Sequence, residues 1–259
     1  MSASAATFSR ILTLLVAVLI CPSAARAIDP FEIQVYDATV NQPGRPALEL
    51  HLNSVISGRR DAVPPELPAH HQSHFTAEPA FGITDWWEVG MYVQTALLAD
   101  GTFEYAGTKL RTKLVVPGRP ESRLRWGVNV EVSRLPDRYE RDVWGGEIRP
   151  IGTWSSAGGA WYVSVNPIVD LSFARLEAPS FEPATTILYV VGGLLSAGIE
   201  YYANLGPVGG WLPPGEQEHY LFEVINVLAW KHVRLNVGVG EGLTGASNDF
   251  VGKMIVGFR

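Results

Sequence analysis

Cysteine is nearly missing from this chain of 259 residues: Cys21 stands alone, so no intramolecular disulfide can form. A chain of this size without cross-links must hold together by burial and backbone pairing. Long apolar runs are missing too. Ile11 to Ile20 is ten residues and Ile187 to Leu195 is broken by Gly192-Gly193, whereas a spanning helix needs about 20. Basic residues are outnumbered, 20 against 26 acidic, which argues against nucleic acid or an anionic membrane surface as partner.

What is present at the N-terminus reads as an export signal. Arg10 precedes the apolar run, and small residues lead to Ala25-Arg26-Ala27, an A-x-A pattern that predicts cleavage after Ala27. Residues 1–27 are therefore expected to be a signal peptide. Without Arg10 and Arg26 the remainder carries 18 basic and 26 acidic residues.

Beyond residue 46 the dominant rhythm has period two. Leu48-Glu49-Leu50-His51-Leu52-Asn53 alternates, as do Leu124 to Val132, Trp161 to Phe173 and Val233 to Val237. Period two means strands. Counting runs between turn residues gives twelve, close to 47–57, 73–83, 86–97, 104–116, 123–133, 143–154, 160–173, 181–191, 194–204, 219–229, 233–241 and 249–259. Most exceed the five or six residues usual in globular sheets and match the roughly nine to eleven that cross a bilayer at a tilt.

The connections alternate in length. Gly58–Gln72, Leu135–Asp142, Ala174–Ser180, Leu205–Glu218 and Gly242–Asn248 are long or polar, while Thr84-Asp85, Ser155–Gly159, Gly192-Gly193 and Trp230–His232 are short. Leu98–Phe103 and Pro117–Ser122 are of equal length and break the contrast. Alternating loops and tight turns characterise an up-and-down transmembrane β-barrel. Closure removes the strand edges that lipid cannot tolerate. Trp86, Trp87, Trp154, Trp161 and Trp230 gather at the short turns, as an aromatic girdle at one membrane interface would. The expected fold is thus all-β: an antiparallel barrel of about twelve strands over residues 47–259, with lipid of the outer membrane around it. Segment 28–46 also alternates in part. It could lie across the periplasmic mouth, fill part of the lumen or extend a strand.

Charges inside the strands are expected on the inward face: Glu49, His51, Glu78, Glu88, Lys109, Arg111, Lys113, Arg125, Glu131, Glu147, Arg149, Asp170, Glu200, Arg234 and Lys253. A soluble sandwich could not bury so many ionisable groups, whereas a lumen lets them pair or meet water. They are the candidate lumen-lining and solute-contact residues, and the Lys109-Arg111-Lys113 ladder calls for counter-charges or an anionic visitor.

The segment "NVGVGEGLTG" (Asn236 to Gly245) contains a G-x-G-x-x-G spacing, but no helix follows and the chain ends too soon for the acidic partner. Gly238, Gly240 and Gly242 instead share the inward face of a strand, where small residues leave room for large neighbours. His70, His71 and His74 are joined by no cysteine and no tight carboxylate partner, and no G-x-S-x-G occurs, so neither metal nor cofactor nor catalytic residues are expected. A barrel-embedded enzyme acting on lipid and a soluble periplasmic ligand-binding barrel or sandwich are the rival readings.

"GIEYYANLGPV", "LNVGVGEGLTGASNDFVGKMIVGFR" and "FEIQVYDATVNQPGRPALELHLN" resemble outer-membrane barrels of the type associated with the MetA pathway of phenol degradation and their transporter-like relatives. That resemblance implies a channel or carrier for small, often aromatic, molecules and supplies no catalytic residues. Barrels of this kind end in an aromatic residue read by the outer-membrane assembly machinery. Here Phe258 holds that outward phase, with Arg259 after it.

Overall fold

A computed structural model describes residues 28–61, 64–118, 122–173, 177–230 and 232–259. The expected signal peptide, with Arg10 and Cys21, lies outside the described residues.

Twelve strands follow one another: β1 (Pro46–Ser57), β2 (Ser73–Gly82), β3 (Trp87–Leu97), β4 (Phe103–Val115), β5 (Leu124–Arg134), β6 (Trp144–Ser155), β7 (Trp161–Ser172), β8 (Ser180–Val191), β9 (Leu195–Asn204), β10 (Glu218–Val227), β11 (Val233–Gly242) and β12 (Phe250–Phe258). Each pairs antiparallel with its neighbours in sequence, and β1 pairs with β12 to close the barrel. Most tight connections gather at one end, which we call the turn end, and most long ones at the other, the loop end.

The pleat decides which residues meet which solvent. In β4, Leu110 is 59 % exposed on the outside, while Lys109 and Arg111 on either side are 7 % exposed and point inward. The same inversion holds around the wall: Ile148, Ile187, Ile199, Leu221 and Ile225 are exposed, and Glu131, Arg149, Asn166 and Glu200 are buried. A soluble protein does not put its aliphatic residues outside and its ions inside, so the outer surface fits lipid. Trp86, Trp154, Trp161 and Trp230 are exposed beside the tight turns. Trp87 joins them, its indole N–H donating to Thr112 Oγ1 at 2.8 Å. Phe258 is exposed at the turn end of β12, in register with Leu48 and Val233.

Eight strands close around an interior that wall side chains just fill. With strands about 4.8 Å apart and tilted by about 40°, twelve close at a backbone radius of roughly 12 Å, which leaves space on the axis. The chain fills that space itself. Of the three dispositions open to segment 28–46, the structure has its first part, through Ala38, threading the lumen. Phe31, Glu32, Ile33, Tyr36 and Ala38 are all buried, and Gly44 N–H reaches the Gly82 carbonyl at the turn end before β1 begins.

Candidate functional site

The candidate site is the lumen with this internal segment, hereafter the plug. At the loop end Phe31 meets His74 and Tyr139 edge-on, with ring centroids 4.6 and 5.6 Å away, and packs with Ala96, Ala106 and Leu135. Ile33 sits in a second apolar cluster with Val55, Ile168, Phe222, Val224 and Val251. Tyr36 and Ala38 form a third with Ile151. The wall's inward face is therefore not uniformly polar: apolar residues stand wherever the plug offers them an apolar partner. Sequence periodicity missed these, because an inward Ile168 or Val224 looks like any other strand hydrophobe until the plug is seated.

An extended segment inside a barrel has no ladder partner, so its backbone must find side chains. Tyr36 N–H donates to Asn166 Oδ1 (2.7 Å), and the Tyr36 carbonyl accepts from Ser164 Oγ (2.6 Å) and Asn166 Nδ2 (3.0 Å). Ala38 N–H donates to Thr153 Oγ1 at 3.0 Å and Asn41 N–H to Glu88 Oε2 at 2.6 Å. Thr76 Oγ1 and Asn53 Nδ2 donate to the carbonyls of Phe31 and Pro30, and Lys253 Nζ to that of Ile33. These bonds come from at least six strands, so the plug is held by the whole wall rather than by one neighbour.

The charge network is organised around the same segment. Lys109 meets Asp29 at 2.5 Å, Glu131 at 3.3 Å and Glu32 at 3.8 Å. Arg149 grips Glu147 through Nε (2.6 Å) and NH2 (3.0 Å), reaches Glu32 at 3.4 Å, and lies 4.5 Å from the Tyr36 ring centre. Arg111 binds Glu78 and Glu88 at 2.6 and 2.7 Å, and Lys113 approaches Glu88 at 3.7 Å. The Lys109-Arg111-Lys113 ladder thus has its counter-charges, two of them on the plug. Gly90 explains Arg111's reach: a Cβ there would lie 2.9 Å from its Nε. Glu200 accepts from Lys253 and from the Tyr202 hydroxyl (2.6 Å), while Tyr201 points outward to His219. Tyr36 and Tyr92 share a hydroxyl contact.

The remaining candidates are less enclosed. Asp170 stands on the inward face opposite Glu147, exposed near the loop end. Arg234 and Arg125 line the turn end, the first exposed and the second half-buried, and Glu49 lies between Gln34 and Arg259. Of the three histidines weighed for metal, His70 and His71 stack on one another in the 58–72 loop, and His74 turns into the lumen towards Gln72. The glycine run of β11 faces inward as its phase requires. A Cβ on Gly240 would lie 2.5 Å from the Phe222 ring, so glycine there makes room for a buried aromatic.

Plug groups belong to none of the spanning strands; burial raises all their carboxyls, and neighbouring charges leave the net shifts in opposite directions. Burial and the neighbouring Glu131 push Glu32 up to about 8 against the pull of Arg149 and Lys109. Burial also raises Asp29, but Lys109 at contact distance outweighs it and leaves the carboxyl below its usual range. Asp37 behaves alike: burial raises it, and Lys113, Thr39 and Arg234 bring it lower.

At the loop end a small cavity of about 30 Å³ remains, lined by the apolar Ile33, Val55, Tyr220 and Val251 and by Arg59 and Glu218, which stand 3.7 Å apart.

A closed antiparallel cylinder with an apolar exterior, a charged wall and a self-supplied occupant defines the class: a β-barrel of membrane-protein type with an internal plug. No family model matches the chain, and no curated protein sequence does. Solved structures do. The COG4313 outer membrane channel from Pseudomonas putida F1 superposes with a TM-score of 0.58 at 11 % identity, over 88 % of this chain and 99 % of that one. The KdgM porin, in complex with disordered oligogalacturonate, superposes with a TM-score of 0.53 at 9 % identity, over 82 % and 98 %. At such identities the likeness is one of fold.

Proposed function

We propose that the protein is a non-enzymatic channel or carrier of the outer membrane, passing small molecules when the plug shifts within the lumen. The observation that carries this reading is the mode of attachment. Among its described contacts the plug is tied to the wall by single hydrogen bonds, ion pairs and three small apolar clusters, none of them covalent. Such contacts can break one group at a time. The turn end, with its tryptophans, the passage from plug to β1 and the end of β12, faces the periplasm in this reading, and the long loops face outside. The lining of the small loop-end cavity, Ile33, Val55 and Val251 together with Arg59 and Glu218, supports a solute with an apolar body and a small polar or charged group. This agrees with the resemblance to barrels implicated with small aromatic molecules. Outer-membrane lipid is the surrounding partner, and the outward Phe258 phase is the feature the assembly machinery would read.

The test is reconstitution into planar bilayers of the full mature chain and of a variant lacking residues 28–42. The expected result is sparse, brief openings for the former and a larger, steady conductance for the latter. A shortened barrel that keeps its heat-modifiable mobility yet never conducts would refute the channel.

A further inference from the structure

One cluster in the wall is not used by the plug's charge network in the way its neighbours are. Glu49 and His51 are two residues apart on β1 and so project from the same face, and Glu78 on β2 is in register with Glu49. One donor atom from each of the three lies within 4.8 Å of the others. His51 and Glu78 are buried, and His51 Nε2 stands 3.0 Å from Glu78 Oε2.

We propose that Glu49, His51 and Glu78 form a binding site for a divalent transition metal of the zinc class. Ligands about 2.0–2.2 Å from zinc stand roughly 3.4 Å apart around a tetrahedron. The His51–Glu78 pair is close to that spacing already, and Glu49 closes the remainder by rotating its side chain. One imidazole with two carboxylates is a ligand set that suits zinc and its neighbours and is too rich in nitrogen for calcium.

Two further observations set the cluster apart from an ordinary buried ion pair. A polar atom beside the cluster is left unmet: the buried Oε1 of Gln34 has no hydrogen-bond partner, while its Nε2 donates to Glu49 Oε2 at 3.1 Å. The carboxylates are also braced from behind. Arg111 holds Glu78 Oε1 through Nε (2.7 Å) and NH2 (2.6 Å), leaving Oε2 turned to His51, and Arg259 holds Glu49 Oε1 at 3.3 Å. Hydrogen-bonded carboxylates of this kind are the usual outer support of a metal site. Gln34 belongs to the plug, and turning its amide over would offer Oε1 as a fourth ligand. The metal would then join plug and wall. Binding needs a neutral imidazole and ionised carboxylates, so it displaces the His51–Glu78 hydrogen bond and any proton on the ring.

The experiment uses the full mature protein in detergent, stripped with a chelator and titrated with Co2+ as a spectroscopic stand-in for Zn2+. It is run beside His51→Gln, Glu49→Gln and the loop control His70→Gln/His71→Gln, with gel mobility confirming that each is folded. Glu49→Gln keeps the Arg111–Glu78 pair, so it separates ligand loss from damage to the wall. The expected result is one Co2+ per chain with the intense visible bands of low coordination, displaced by Zn2+, retained in the loop control and weakened about tenfold or more in the two site variants. Absence of saturable uptake, or uptake lost in the loop control and kept in His51→Gln, overturns the site. Because the readout is binding and not conductance, its failure is distinct from failure of the channel reading.

Discussion

Replacing Arg149 by methionine is the sharpest single test of how the lumen is held. The guanidinium makes two bonds to Glu147, approaches Glu32 at 3.4 Å, donates to the Gln34 carbonyl at 3.3 Å and lies 4.5 Å from the Tyr36 ring centre. Methionine keeps much of the stem volume and deletes all five contacts. Removing one partner of a buried pair costs about 3–5 kcal/mol, because the carboxylates stay behind unpaired. The orphaned Gln34 carbonyl adds about 1–3 kcal/mol where no water replaces the bond. The direct prediction is a loss of about 3–5 kcal/mol from the unfolding free energy, read as a lower denaturant midpoint by gel mobility in vesicles. Since Gln34, Glu32 and Tyr36 are plug residues, the same variant should release the plug before the barrel opens, seen as proteolysis within residues 28–42 on a barrel that still migrates as folded. Adding Glu147→Gln should return part of the loss, a coupling of about 1–3 kcal/mol in the double-mutant cycle. A single variant within about 0.5 kcal/mol of the parent, with its plug still protected, would refute the claim that paired charge seats the plug.

Three further outcomes follow from other parts of the lumen. Phe31→Ala empties a fully buried position between His74 and Tyr139 and should cost about 3–5 kcal/mol, with more frequent openings in bilayer recordings. Gly240→Val sets a side chain against the Phe222 ring and should cost about 1–3 kcal/mol in denaturant melts, whereas Gly245→Ala, in open space, should be close to neutral. Glu32, raised to about 8 in the folded state, favours the seated plug while protonated: its contribution is complete below the ordinary carboxylate range and is lost as pH rises through about 8. Asp29 and Asp37 are lowered, so they act in the opposite sense, weakening the seat only as pH falls below their usual range. Protection of the plug from protease should therefore decline between about pH 5 and 8, and Glu32→Gln should flatten that decline.

The wall was legible from the chain alone because a strand in a barrel obeys a local rule. Whether Leu110 or Lys109 faces lipid follows from alternate pleating, and where a strand stops follows from Gly192-Gly193 or Thr84-Asp85, all within a few residues. The predicted twelve strands fall within a residue or two of those observed, and in the middle of the wall Lys109, Arg111, Glu131, Arg149 and Glu200 are buried. Even the glycine run of β11 could be taken from nucleotides and given to packing on phase alone. What the glycines make room for could not, because Phe222 is brought opposite Gly240 only by the β10–β11 register.

The interior obeys no local rule, and tertiary structure alone decided it. Segment 28–45 has no ladder to impose a period on it, so its sequence left three dispositions open. Only closure of twelve strands, at a radius too wide for wall side chains to fill, makes the lumen the place where Phe31, Ile33 and Tyr36 can be buried. The same closure sets Asp29 beside Lys109 and Glu32 beside Arg149, and it brings Glu78 back against Glu49 and His51. Pattern along a strand fixes which way a side chain points; what it meets is fixed by strands far away in the chain.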